Sequence, residues 1–165
     1  GPQGTGLLLC GDPGKPLLFG GTGTLSREKT MPEDLPERLE AGTVNVPGAA
    51  GLAAGIRLVR GMTPEKIFAR GHGQTMACGR ALEEMGYRVF TGPHQAMTLS
   101  FQGKADCEEI AEALGSRGIA VRAGLHCAPL AHESAGTLEK GTVRISFGHD
   151  ASPAQTNALL RALGV

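Results

Sequence analysis

At 165 residues the chain is the size of one domain and long enough to bury a core. Its 16 basic and 16 acidic residues cancel, with no block of like charge, which argues against a nucleic-acid footprint and against docking on an anionic membrane. One Tyr, five Phe and no Trp leave too few rings for a base-stacking platform.

The opening run GPQGTGLLLC has no charged start and no apolar stretch long enough for a signal peptide or a membrane span. The expectation is a cytoplasmic chain that begins in mid-protein. Its 26 glycines are uneven, with GPQGTG, GGTG and GAAGLAAG all in the first third, broken by the turn GDPGKP. The short apolar runs at 7–10 and 17–19 read as strand ends feeding loops, and residues 22–41 as a polar, proline-marked surface excursion. A helix is predicted from near Asn45, its cap, with Pro47 in the first turn. Gly48, Gly51 and Gly55 fall along one side of it, where close packing against a neighbour explains them as well as a ligand would. The next start signal is TPEK, with Thr63 as cap and Pro64 at the first helical position. From there Ile67, Gly71, Cys78, Leu82 and Met85 keep roughly helical spacing, weakened by Gly71 and Gly73.

In the last third, YRVF and AMTLSFQ read as strands. ADCEEIAEALGS follows as a helix, with Asp106 and Glu109 in capping-box register and Cys107, Ile110, Ala111 and Leu114 as its apolar stripe. The strand GIAVR, the loop RAGLHCAPLAH and the strand GTVRISFG come next. Ser152, Pro153 and Gln155 then start a helix carrying Leu159, Leu160 and Leu163. The order strand, strand, helix, strand, strand, helix predicts an α+β layer, a sheet with helices packed on one face.

The four cysteines form no CxxC pair and lack the density of a disulfide scaffold, so neither structural zinc nor a disulfide framework is expected. Cys78 and Cys107 sit among helical apolar positions and Cys10 ends an apolar run, so all three read as core. Cys127 differs, because it lies in a loop between strands with Gly124 nearby, where a rigid scaffold displays reactive groups. His126 beside it can relay a proton or favour the thiolate. Spacing alone leaves a reactive and an inert Cys127 both open. Metal binding by His126, Cys127 and His132 is the alternative chemistry, although no fourth ligand has a recognisable spacing. A papain-like nucleophile would need a distant histidine and an orienting partner.

RAGLHCAPLAH followed by GTLEKGTVRISFG resembles the C-terminal signature of cysteine desulfurases, which are pyridoxal-phosphate enzymes of the class V aminotransferase superfamily. The nearest branch is the one in which the cysteine follows RAG-x-H. GPQGTGLLL, GGTGTLS and LPERLEAGTVNVPGAAGLAAGI agree in order and interval, so the resemblance spans nearly the whole chain. It implies an α/β fold, the C-terminal part of a fold-type-I transferase. Residues 1–60 would be the tail of the large cofactor-binding domain with the start of the linking helices, and residues 61–165 the small α+β domain. It implies conversion of L-cysteine to L-alanine, with a persulfide on Cys127 that passes to a sulfur-acceptor protein for iron–sulfur cluster biogenesis, in a cytoplasmic homodimer.

Residue by residue, the resemblance gives Arg144 the substrate α-carboxylate, which a guanidinium fork meets with two parallel hydrogen bonds. Arg122 matches a second arginine near the substrate, and His126 tunes the thiol or shuttles a proton. Gly42 and Thr43, in EAGTVN, match the segment that reaches the cofactor phosphate of the other subunit, with the loop at 20–23 near the same place. Asn45 remains a helix cap. The cofactor's Schiff-base lysine belongs to an HK-x-x-GP context and would precede Gly1, so this piece alone is expected to be inactive. Pro129 stands where related members usually carry a glutamine after HCA. Two rival readings are another class V enzyme, an aminotransferase or a selenocysteine lyase, and a non-catalytic sulfur-binding or interaction module.

Overall fold

The computed structural model describes residues 1–25 and 27–164; Ser26, the last residue of GGTGTLS, and Val165 lie outside the described residues. The chain divides into two compact units, Gly1–Gly61 and Met62–Val165.

The first unit is organised by one helix, α1 (Val46–Met62). Asn45 caps it, its Oδ1 accepting from the Gly48 N–H at 3.0 Å. The glycine side of α1 receives the opening segment of the chain. A Cβ on Gly51 would stand 2.5 Å from Pro2 Cγ, and one on Gly48 would stand 2.6 Å from Thr5 Cγ2. The small residues are therefore explained by a packed neighbour. The described residues of 22–41 form turns and bends, mostly exposed, as the sequence predicts.

The strands expected at 7–10 and 17–19 do not form, and no strand occurs among the described residues of this unit. Leu9 is 87% and Leu17 91% exposed. A strand needs a second strand to satisfy its N–H and C=O groups, and apolar character alone supplies none. Cys10, expected in the core, is exposed for the same reason.

The second unit holds a four-stranded antiparallel sheet in the order β1-β2-β4-β3, with β1 Arg88–Phe90, β2 Thr98–Gln102, β3 Arg122–Gly124 and β4 Thr142–Ser146. Three helices cover it: α2 (Pro64–Glu84), α3 (Cys107–Gly115) and α5 (Pro153–Leu163). Leu99 and Phe101 of β2 and Val143 and Ile145 of β4 meet Cys78 and Leu82 of α2, Cys107, Ile110 and Leu114 of α3, and Leu159 of α5. Each fully buried Leu or Phe contributes roughly 1.5–3 kcal/mol. Gly71 lets α2 close on Met97, since a Cβ there would come 2.9 Å from Met97 Cγ and push that side chain aside.

The helix starts follow the sequence signals, except that Asp106 caps α3 through the Glu108 N–H and not through a capping box with Glu109. Thr63 Oγ1 accepts from the Lys66 N–H, and Asp106 accepts from the Glu108 N–H at 2.9 Å. The reciprocal capping box forms at Ser152 and Gln155, where Gln155 Oε1 accepts from the Ser152 N–H at 3.0 Å. In this unit two elements differ from expectation. The strand predicted over GIAVR begins where that run ends, because β4 offers its partners to Arg122, Ala123 and Gly124, while Ile119 and Val121 pack at the rim of the core. The predicted loop contains a seven-residue helix, α4 (Pro129–Ala135), which Gly136 ends at φ 65°.

No described helix is long and apolar enough to cross a membrane.

Candidate active site

Side chains alternate along a strand. With Val143 and Ile145 turned to the helices, Thr142 and Arg144 fall on the opposite face of β4. The register makes Arg144 the direct Cα partner of both Arg122 on β3 and Ser100 on β2. Two cations placed opposite one another weaken a sheet. Such a pair on the face without core helices is suited to an anion from outside. Arg144 is half-buried, and its Nε is buried with no hydrogen-bond partner among the described residues. Arg122 is exposed, and its Nη2 donates to Cys127 Sγ at 3.4 Å.

Cys127 comes to this face through a left-handed turn. Gly124 (φ 101°) leaves β3, then His126 (φ 53°) and Cys127 (φ 59°) both take the conformation that L-residues avoid, at about 1–2 kcal/mol each. The Ala128 N–H closes the turn on the Leu125 carbonyl at 2.9 Å, and α4 begins at Pro129. Such strain persists only where surrounding structure enforces it, and it clusters at functional positions.

The environment separates the cysteines of this unit. Cys78 is fully buried, and burial pushes its thiol up to about 11; burial also raises Cys107. Both are core residues, as the sequence predicts. Cys127 is exposed beside a guanidinium, the setting in which a thiol acts as a nucleophile.

His126 is half-buried, with Nε2 3.0 Å from Thr142 Oγ1 and Nδ1 buried without a partner. Burial holds its imidazole below the ordinary 6.5, helped by the charges of Arg144 and His132. His132, weighed above as a metal ligand, is buried with Nδ1 2.7 Å from Thr137 Oγ1, and its ring centroid lies 5.7 Å from that of His126. It is a satisfied interior histidine. Among the described residues no group of three or more His, Cys, Asp or Glu is placed to hold a metal ion.

Cys127, His126, Arg122 and Arg144 thus converge, and Gly42 and Thr43 belong to the first unit. Gly42 has φ 99° with open space where a Cβ would stand, and its N–H is spent on the Gly21 carbonyl at 2.7 Å. Thr43 is exposed, and its hydroxyl and N–H make no hydrogen bond among the described residues. Thr142 is the member that sequence reasoning missed. Its signal was the two-residue spacing from Arg144 in GTVRISFG.

The Aminotransferase class-V family pattern matches residues 1–159. A cysteine desulfurase of Synechococcus elongatus is 40% identical over 139 residues, covering 78% of this chain and 22% of that protein. A probable cysteine desulfurase of Streptomyces coelicolor is 33% identical over 175 residues, covering 99% of this chain and 41% of that protein. Among solved structures, the apo cysteine desulfurase of Thermococcus onnurineus matches with a TM-score of 0.74 at 29% identity, over 90% of this chain and 38% of that one. The chain therefore spans well under half the length of these proteins.

Proposed function

The chain belongs to the class V aminotransferase family, and on that premise we propose that it is the C-terminal portion of a pyridoxal-phosphate-dependent cysteine desulfurase. The observation that carries the reading is the exposed thiol of Cys127, 3.4 Å from Arg122 and presented at the sheet face that bears Arg144. Residues 1–60 are assigned to the end of the large cofactor-binding domain and residues 61–165 to the small domain.

The residues of this chain fit one end of the cofactor. Thr43 offers an exposed hydroxyl and an uncommitted N–H, a donor pair for a phosphate, and the open left-handed backbone at Gly42 permits close approach. In the homodimer we assign, Gly42 and Thr43 serve the phosphate held by the partner subunit. Lys15, Lys29, Lys66, Lys104 and Lys140 are all exposed, and the anchoring lysine is assigned to a part of the protein outside this chain. Pyridoxal phosphate, when bound, supplies the electron sink that makes a carbon–sulfur bond at the substrate β-carbon cleavable.

Arg144 fixes the α-carboxylate of L-cysteine, its unpartnered Nε joining a second N–H in a two-point grip. This aims the substrate sulfur at the Cys127 turn. The Cys127 thiolate attacks that sulfur, an S–S bond forms as the substrate Cβ–S bond breaks, and the carbon keeps the bonding pair and takes a proton. The products are L-alanine and a persulfide on Cys127. A soft thiolate suits both the uptake of this sulfur and its release to a thiol of an acceptor protein, and an exposed turn lets that acceptor approach.

The test is the intact, cofactor-loaded enzyme with Cys127→Ala. Formation of alanine from L-cysteine is expected to fall to background while the cofactor absorbance stays. Undiminished release would reject the desulfurase reading in favour of another class V reaction.

A further inference from the structure

We propose that Thr142 is a positioning residue for the nucleophile: its hydroxyl braces the His126 imidazole and so holds the left-handed turn that presents Cys127. The inference rests on the reading of Cys127 as the sulfur carrier and extends it to the residue behind the turn.

Two consecutive non-glycine residues at φ 53° and 59° do not hold that conformation on their own account. Something must tie the turn to a rigid element. Thr142 is 3% exposed, and its backbone is fixed in β4 opposite Gly124, the residue from which the turn departs. From there Oγ1 reaches His126 Nε2 at 3.0 Å. This is the ring's one hydrogen bond among the described residues, since Nδ1 is buried without a partner. The ring also lies 5.7 Å, centroid to centroid, from that of His132, itself fixed by Thr137 Oγ1 at 2.7 Å on the segment that follows α4. The turn is thus held from β4 before Cys127 and by α4 after it.

The same geometry argues against a proton shuttle. Of the two imidazole nitrogens, one is committed to Thr142 and the other points into buried space. Neither is free to exchange a proton with the thiol. His126 holds Cys127 in place, and Thr142 holds His126.

The experiment compares Thr142→Val, which keeps the shape and removes the hydroxyl, with Thr142→Ser, which restores it. It also includes His126→Asn, which tolerates the left-handed region but shortens the side chain. Two readouts are taken: kcat and KM for L-cysteine in the cofactor-loaded intact enzyme, and the rate of Cys127 alkylation by iodoacetamide in the cofactor-free protein. Thr142→Val is expected to lower kcat and the alkylation rate by about tenfold or more, with KM within about twofold. Thr142→Ser is expected to return both to near wild type. In the His126→Asn background, Thr142→Val should add nothing further. Unchanged alkylation in folded Thr142→Val, losses that add in the double variant, or failure of serine to rescue would each overturn the proposal. Should Thr142→Val not fold, His126→Asn decides by the same alkylation rate. A wild-type enzyme that makes no alanine from L-cysteine would defeat the function proposed above, and the alkylation comparison would still decide the brace.

Discussion

Cys127 differs from Cys78 and Cys107 less in its neighbours along the chain than in the backbone that carries it. A helix turned toward the sheet buries the other two, and a left-handed turn at a strand end exposes the third. That turn was legible as a motif, RAGLHC, and not as a conformation, because positive φ at histidine and cysteine has no compositional signature. Thr142 was easy to pass over for a related reason: its two-residue spacing from Arg144 puts it on the same face, but a threonine opening a strand looks like an ordinary β-former. The electrostatics of His126 give a direct check. Burial, then Arg144 and His132, disfavour its protonation, so the folded protein binds that proton more weakly than the unfolded chain. Well above pH 6.5 the residue is neutral in both states and contributes nothing to pH dependence. As pH falls below 6.5 the unfolded chain takes up the proton first, and stability falls with it. An NMR titration of the His126 imidazole should show a midpoint below 6.5 that rises in Arg144→Ala. A midpoint at or above 6.5 in the wild type would contradict the burial described here.

At the scale of elements, caps were read well because their chemistry is local. Asn45, Thr63, Asp106 and Ser152 each accept from an N–H two or three residues on, a relation that sequence order alone encodes. Helix α4 escaped because it is only seven residues long, about two turns, with no side-chain cap at Ala128 and only Pro129 and Gly136 as punctuation. The absent strands at 7–10 and 17–19 mark the opposite case, since their existence depends on partners that a local pattern cannot supply. Elements also pack closely where α3 meets β3 and β4. There Gly141 has φ 61°, and a Cβ on it would stand 3.0 Å from both Cys107 Sγ and Gly124 Cα. Gly141→Ala is therefore expected to destabilise the protein by about 1–3 kcal/mol in urea titration, through strain at positive φ and the clash with backbone. A change below about 0.5 kcal/mol, the level of an indifferent surface substitution, would show the contact to be looser than described.

The molecule as a whole carries an imbalance between its two units. Met62–Val165 encloses a core built around Phe101, Leu99, Leu82 and Leu114, all essentially inaccessible. Gly1–Gly61 instead leaves Leu7, Leu8, Leu9, Leu17, Leu18 and Phe19 at 69% exposure or more. Exposed apolar clusters of this kind call for cover. In the reading offered here, cover comes from the remainder of the cofactor-binding domain, the part of the relatives that this chain does not match. The family was legible because several weak motifs stand in one order along the chain; no single glycine run would have carried it. The proposed function requires that Cys127 receive sulfur. The decisive measurement is mass spectrometry of the Cys127 peptide after the intact enzyme has met L-cysteine without an acceptor. The account expects one additional sulfur on Cys127, removed by dithiothreitol and absent in Arg144→Ala at low substrate. Alanine formed with Cys127 unmodified, or the sulfur found on another cysteine, would contradict it.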